Sequence, residues 1–135
     1  MKISYLIDTD WIIHYLLGAA PIKKRLRELK PEGLAVSIIS LAEVYEGVFY
    51  SRDPKASQKG FDEFLENVSI FGVDDEICQV FAKERGKLRK KSALIGDFDL
   101  LIASTCLSHE VTLLTNNVRH FERIEGLRLI SLPTK

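Results

Sequence analysis

Short hydrophobic segments alternate along this chain with longer segments in which hydrophobic residues recur at helical spacing. The short segments are typical of buried strands and lie at residues 3–7, 34–38, 68–72, 111–114 and 127–131. The longer segments predict helices at residues 9–17, 21–30, 40–50, 55–66, 74–90 and 98–109, with a short helical turn at 117–122. Because strands that alternate with helices form parallel sheets covered on both faces, we predict a three-layer α/β fold. Its central parallel sheet of about five strands is flanked by helices.

Acidic and amide residues lie close to the ends of the predicted strands. Asp8 directly follows the first strand, Glu43 comes shortly after the second, and Asn117 follows the fourth. Asp97 and Asp99 lie at the start of the last long helix. Since the carboxyl ends of parallel strands meet at one edge of a sheet, we expect these side chains to lie together. Clustered carboxylates repel each other, and a cation that prefers oxygen ligands, Mg²⁺ or Mn²⁺, would relieve that repulsion.

Helix capping is a second interpretation of the same residues. Asp8 and Asn117 could each cap the helix that follows. Residues 40–43, Ser-Leu-Ala-Glu, match a capping box, in which the Glu43 side chain reaches back to the helix N-terminus. Four capping residues at one sheet edge would still bring several carboxylates together, and this conjunction favours the metal-site hypothesis.

Asp97 and Asp99 are only two residues apart, which places them about 200° apart around a helix. The two carboxylates therefore share one site only if Asp97 precedes the helix. Alternatively, Asp97 is the N-cap and Asp99 complements the helix dipole from the first turn.

Length and composition indicate one globular domain. The chain has 135 residues, of which 46% are hydrophobic, enough for a substantial core. We find no interdomain linker and predict a single domain over residues 1–135. No apolar run reaches the roughly 20 residues that cross a bilayer, and no signal peptide is evident. Cys78 and Cys106 are not in a paired spacing, so we expect two buried thiols in a reduced, cytoplasmic protein.

The charged residues are unevenly distributed although the formal net charge is zero. Basic clusters occupy residues 23–30, 83–91 and 119–123. Such clusters are often solvated helix faces, but three of them near an acidic site favour a polyanionic substrate. The three histidines have no metal-ligand spacing, and we expect surface or satisfied core positions for His14, His109 and His120.

Four motifs, in order and at similar separations, resemble those of PIN-domain ribonucleases. They are Asp8-Thr9-Asp10, residues 40–47 (Ser-Leu-Ala-Glu-Val-Tyr-Glu-Gly), residues 95–103 (Ile-Gly-Asp-Phe-Asp-Leu-Leu-Ile-Ala) and residues 114–121 (Leu-Thr-Asn-Asn-Val-Arg-His-Phe). The last two segments are similar to VapC-type toxins of prokaryotic toxin–antitoxin modules. The resemblance implies a PIN-domain, Rossmann-like fold and a Mg²⁺- or Mn²⁺-dependent endoribonuclease.

The resemblance also implies a role for individual residues. It assigns the family's three acids to Asp8, Glu43 and Asp99, and an additional acid to Asp97. Asn117 occupies a fourth position where many PIN domains carry Asp. In addition, Thr9 and Thr115 match small hydroxyl residues that line the site.

The partners implied by the resemblance are an RNA substrate, a second copy of the chain in a homodimer, and a small antitoxin that covers the active-site groove. Aromatic surface supports an interface, and we expect it from Trp11, Tyr15, Tyr45, Val48, Phe49 and Tyr50. Two other functions are kept open. One is a non-catalytic PIN-type RNA- or protein-binding domain, and the other is a phosphohydrolase of the haloacid-dehalogenase type.

Overall fold

The computed structural model describes residues 2–132. Met1 and residues 133–135, which the predicted domain includes, lie outside the described residues. Five parallel strands form one sheet, in the order β3-β2-β1-β4-β5. They are β1 (Tyr5–Ile7), β2 (Leu34–Ser37), β3 (Ser69–Phe71), β4 (Thr112–Leu114) and β5 (Leu129–Ile130). The predicted α/β fold with a parallel sheet of about five strands is confirmed.

Helices lie on both faces of this sheet, and their positions agree with the predicted segments to within a few residues. They are α1 (Thr9–Leu16), α2 (Ala20–Leu29), α3 (Ile38–Phe49), α4 (Pro54–Leu65), α5 (Asp75–Lys90), α6 (Asp97–His109) and α7 (Val118–Phe121). A short 3-10 turn, Lys30–Glu32, connects α2 to β2.

Alternate residues of the central strands point to opposite faces of the sheet, as the strand geometry requires. Leu6 and Leu113 are buried in the cluster that includes α6 and α7, whereas Ile7 and Leu114 are buried in the cluster that includes α1 to α4. Both faces are covered, which explains why the central strands carry hydrophobic residues at consecutive positions rather than at every second one.

Gly33 sets the start of β2 against the N-terminal segment. Its φ of +90° is in the left-handed region, and a Cβ at this position would clash with the backbone oxygen of Lys2. The Gly33 carbonyl accepts hydrogen bonds from the backbone N–H groups of Ser4 and Tyr5. This close approach fixes β1 beside β2, so that the two strands end at the same edge.

Two helix starts differ from the sequence prediction. Ser37, rather than Ser40, is the N-cap of α3, and its hydroxyl accepts from the Ile39 backbone N–H. Glu43 therefore lies beyond the first turn, and the capping-box interpretation is wrong. Gly96 is the N-cap of α6, so the interpretation of Asp97 as a cap is also wrong.

The two cysteines have different environments. Cys106 is buried, as expected, but Cys78 is exposed, and the prediction of two buried thiols is wrong for Cys78. Cys78 follows the buried Ile77 on α5, and neighbouring helix positions point about 100° apart. Among residues 2–132, no helix has the length and apolar character that a membrane span requires. The cytoplasmic location stays a prediction.

Candidate active site

Asp8 connects the end of β1 to the start of α1, and its side chain is almost fully buried. One carboxylate oxygen accepts from the Thr9 backbone N–H at 2.8 Å, and the other accepts from the Thr115 hydroxyl at 2.7 Å. Burial raises the pKa of Asp8 to about 7, and the negative charges of Asp10 and Asp99 contribute to the increase. Asp8 is thus a helix cap and, at the same time, the most strongly perturbed acid of this edge.

Glu43 reaches this edge from the middle of α3. Its carboxylate accepts a hydrogen bond of 2.7 Å from the Thr9 hydroxyl, which also lies 3.0 Å from the hydroxyl of the buried Ser40. Glu43 thus contacts Thr9 across 34 positions of sequence rather than capping its own helix, and its side chain lies beside the segment of Asp8.

Asp99 contacts the loop that follows β4. Its Oδ2 accepts from the Asn117 side-chain amide at 3.3 Å and lies 3.3 Å from Nδ1 of His120. Asn117 Nδ2 and His120 Nδ1 are 3.0 Å apart. Asn117 occupies the N-cap position of α7, as the capping interpretation predicts, but its side chain makes no capping hydrogen bond there and contacts Asp99 instead.

Thr115 links the Asp8 and Asp99 regions. Its hydroxyl donates to Asp8 and accepts from the backbone N–H of Asn117 at 3.0 Å. A continuous set of contacts therefore runs from Glu43 through the segment of Asp8 and Thr115 to Asp99. Predicted site residues from four separate chain segments are brought together at the carboxyl edge of the sheet.

Asp97 lies at the margin of this arrangement. Its carboxylate accepts from Nε of Arg85 on α5 at 3.2 Å, and 63% of its side chain is exposed. Asp99, two residues later, has 26% side-chain exposure and contacts Asn117. The two acids face different neighbours, as their helical separation predicts.

His120 is the site contact that the sequence reasoning missed. Its position in the chain offered no ligand spacing, and the expectation was a surface or satisfied core residue. Two sequence signals were available, which are its place in the fourth motif and its location three residues after Asn117, the separation that brings side chains together on one turn of helix.

Asp10 and Asn116 form a second hydrogen-bond network, which connects the start of α1 to the loop after β4. Asp10 accepts from the backbone N–H groups of Trp11 and Asn116 at 2.8 and 2.9 Å. The Asn116 side-chain oxygen accepts from Trp11 Nε1 at 3.0 Å and from the Leu132 backbone N–H at 2.8 Å. Neighbouring asparagines thus have separate tasks, since Asn116 anchors the loop and Asn117 faces the acids.

Comparison with known proteins agrees with this geometry. The family described as PIN domain matches residues 5–127. This chain belongs to the PIN-domain family. A protein named Ribonuclease VapC2 from Rickettsia felis is 36% identical, with the match covering 93% of this chain and 95% of that protein. Ribonuclease VapC1 from Haemophilus influenzae strain R2866 is 35% identical, covering 92% of this chain and 94% of that protein. The resemblance inferred from the four motifs is confirmed, both for the PIN domain and for its VapC group.

Solved structures are similar over nearly the whole chain. VapBC2 from Rickettsia felis, bound to a DNA fragment from its promoter, has a TM-score of 0.92 at 29% identity and covers 97% of this chain and 100% of that chain. VapBC-1 from nontypeable Haemophilus influenzae has a TM-score of 0.86 at 31% identity and covers 96% and 98%. PIN-domain membership decides against the haloacid-dehalogenase alternative.

The donor atoms at this edge fit a divalent cation. Within residues 2–132, no three Asp, Glu, His or Cys side chains are arranged closely enough to coordinate one metal ion. The carboxylates are instead connected through hydroxyl and amide groups that donate hydrogen bonds to them. The ligands on offer are nevertheless carboxylate and amide oxygens, which Mg²⁺ and Mn²⁺ prefer. Burial, with a smaller contribution from the charges of Asp10 and Asp99, raises the pKa of Asp8, and a bound cation would favour its ionised form.

Proposed function

We propose that this chain is a divalent-metal-dependent endoribonuclease and the toxin of a type II toxin–antitoxin pair. The observation that carries the proposal is the contact path joining Asp8, Glu43 and Asp99 across the sheet edge. Two relatives that are about a third identical to this chain are named ribonucleases, and this chain belongs to the same family. Mg²⁺ is the proposed metal, and Mn²⁺ is an alternative.

Each side chain has a proposed task. Asp8, Glu43 and Asp99 would hold the cation. Asn117 would orient Asp99 through its amide, and Asp97 would contribute from the margin of the site. When bound, such a cation lowers the pKa of water and stabilises charge on phosphoryl oxygens. Thr9 and Thr115 orient the acids, because their hydroxyls donate to Glu43 and Asp8 at 2.7 Å each. Both threonines thus restrict the directions in which the carboxylate oxygens point.

The test is cleavage of RNA by the purified protein with Mg²⁺ or Mn²⁺ and with a chelator. Cleavage should require the metal and should be abolished by Glu43→Gln. The matched control is Glu63→Gln, because Glu63 is exposed on α4 and the substitution is identical.

Asp97→Asn should reduce the rate less than Asp99→Asn, since Asp97 is largely exposed and already paired with Arg85.

A non-catalytic PIN domain is the competing function. It predicts RNA binding without cleavage at any metal concentration, and equal behaviour of the Glu43→Gln and Glu63→Gln variants. Cleavage that persists in chelator would instead contradict the metal mechanism while leaving a nuclease.

An apolar groove supports the proposed antitoxin partner. The groove has a volume of about 390 Å³ and lies between α1, α3 and α4, where it is lined by residues that include Ile13, Leu17, Val44 and Val48. Leu17 is 79% exposed, and exposed apolar surface of this kind marks interaction sites. The similar solved structures are VapBC toxin–antitoxin assemblies, and we propose that a cognate antitoxin covers this groove.

A homodimer is the second proposed assembly. Phe49 and Tyr50 at the end of α3 are 62% and 87% exposed, as the prediction of aromatic surface requires. Trp11 and Val48 are buried in the core, and the expectation that they belong to this surface is wrong. Tyr15 and Tyr45 are partly buried against the same core.

A further inference from the structure

A basic groove lies at the end of α1 opposite to the acids. It has a volume of about 120 Å³ and is formed by α1, α2 and the connection between α4 and β3. Lys23, Arg27 and Lys30 all line it. Their spacing of four and three residues places the three cations on one side of the helix and its following turn.

No acidic side chain lines the groove beside its three cations, although Glu66 lines the adjoining cavity. The groove lining contains the three cations, Tyr15 and Asn67 among other residues, and no Asp or Glu. Within residues 2–132, the ion pair recorded for α2 joins Arg25 to Glu28, which lie outside the groove. The basic cluster at residues 23–30 therefore has one side that faces the groove and is not ion-paired, and another side that carries the Arg25–Glu28 ion pair.

Two of the cations are held in place by neutral partners. Lys23 Nζ lies 5.2 Å from the centroid of the Tyr15 ring, a distance at which the ring face attracts a cation. Lys30 Nζ donates to Oδ1 of Asn67 at 2.6 Å. Both contacts orient the ammonium groups while leaving their charge unneutralised, so the groove remains suited to an anion.

Helix α1 connects the groove to the candidate active site. Asp8 caps the first turn of α1, and Tyr15 lies seven residues later, beside the groove. At about 1.5 Å per residue the two positions are about 10 Å apart along the helix axis. A nucleic-acid strand bound at the acids can therefore reach the groove within a few nucleotides.

We propose that this basic groove binds the phosphate backbone of the RNA strand that flanks the cleaved bond. The inference rests on the proposed nuclease function and adds a second RNA contact remote from the acids. RNA is favoured over an acidic peptide because regularly spaced phosphates match cations that recur along one helix side. Flanking contacts of this kind strengthen substrate binding without acting on the reacting atoms.

The experiment compares two double variants that each remove two charges from α2. Lys23→Gln with Arg27→Gln alters the groove, and Lys24→Gln with Arg25→Gln alters the other side of the same helix. Cleavage is measured on a single-stranded RNA with long flanks and on versions shortened on one side or the other. The groove variant should have a KM several-fold above that of the wild type for the long RNA and an unchanged kcat. On the RNA that lacks the flank bound by the groove, its KM should equal that of the wild type.

Salt dependence gives an independent readout. Each phosphate contact on a single strand contributes about 0.7 to the slope of log affinity against log salt concentration. The groove variant should therefore reduce that slope by about 1.4, whereas the control variant should leave it unchanged. Equal effects of the two variants, or no effect of either, would overturn the proposal.

Two further measurements separate the causes of failure. If the groove variant loses affinity for the antitoxin but keeps wild-type RNA kinetics, the groove belongs to a protein partner and the proposal is wrong. If the wild type cleaves no RNA, the proposed function fails, and fluorescence anisotropy still tests the groove through binding of the same RNAs. Loss of affinity in the groove variant alone would then support the RNA contact by itself.

Discussion

At the scale of single residues, the folded structure changes the acidity of one carboxyl group. Asp8 is buried close to Asp10 and Asp99, and its pKa rises from 3.8 to about 7. Between these two values the folded chain binds more protons than the unfolded chain. The free energy of unfolding must therefore fall as the pH rises through this range.

We expect Asp8→Asn to remove this dependence. Asn keeps an oxygen for the Thr9 backbone N–H but cannot ionise, so the variant should gain stability relative to the wild type as the pH rises from about 4 to about 7. Thermal unfolding in metal-free buffer across that range measures the difference. Mg²⁺ or Mn²⁺ should raise the melting temperature of the wild type more than that of the variant. Melting curves that shift in parallel with pH would show that Asp8 is not the group responsible.

At the scale of elements, the loop between β4 and α7 carries one residue that stabilises the fold and a neighbouring residue that contacts the site acids. Asn116 binds α1 and the C-terminal segment through Trp11 and Leu132, while Asn117 faces Asp99. Trp11 is fully buried, so its indole N–H depends on Asn116 for a partner. Asn116 thus fixes the position of the loop, and Asn117 supplies the amide that contacts Asp99.

We expect Asn116→Ala to destabilise the fold by about 1–3 kcal/mol, the cost of an unsatisfied buried donor. Asn117→Ala should cost less stability but should reduce RNA cleavage, because it removes the amide that contacts Asp99. Denaturant unfolding and cleavage rates on both variants measure the two effects. A larger loss of stability for Asn117→Ala would mean that the two roles are reversed.

At the scale of the whole molecule, three surfaces lie apart from one another on the fold. The acids occupy the carboxyl edge of the sheet, the apolar groove lies between α1, α3 and α4, and the basic groove lies beside α2. Helix α1 borders all three, because its first turn carries Asp8 and Thr9 and its later turns line both grooves. Helix α1 is therefore the one element that all three surfaces share among the described residues.

We expect Leu17→Lys to weaken co-purification of the cognate antitoxin without reducing RNA cleavage by the free protein. A charge in the apolar groove opposes its burial by a partner protein. Because Leu17 is already exposed, folding should not be affected. Leu94→Lys, at an exposed leucine outside this groove, is the matched control.

Light scattering should show a homodimer at micromolar concentration for both variants. A strictly monomeric wild type, or an antitoxin unaffected by Leu17→Lys, would contradict these assignments.

The sequence by itself determined the class and order of the elements and the edge at which Asp8, Glu43 and Asp99 meet. Hydrophobic periodicity is a local property, and parallel topology then places strand ends together. Only the tertiary structure decided which donors hold each acid, because Thr115 and Asp8 are 107 positions apart, and Thr9 and Glu43 are 34 apart. It also decided that Ser37 caps α3 and that His120 reaches Asp99. The contact of His120 depends on how α6 and α7 pack together, which no local pattern encodes. Ser37 and Ser40 are both residues that cap helices well, so residue type alone did not choose between them.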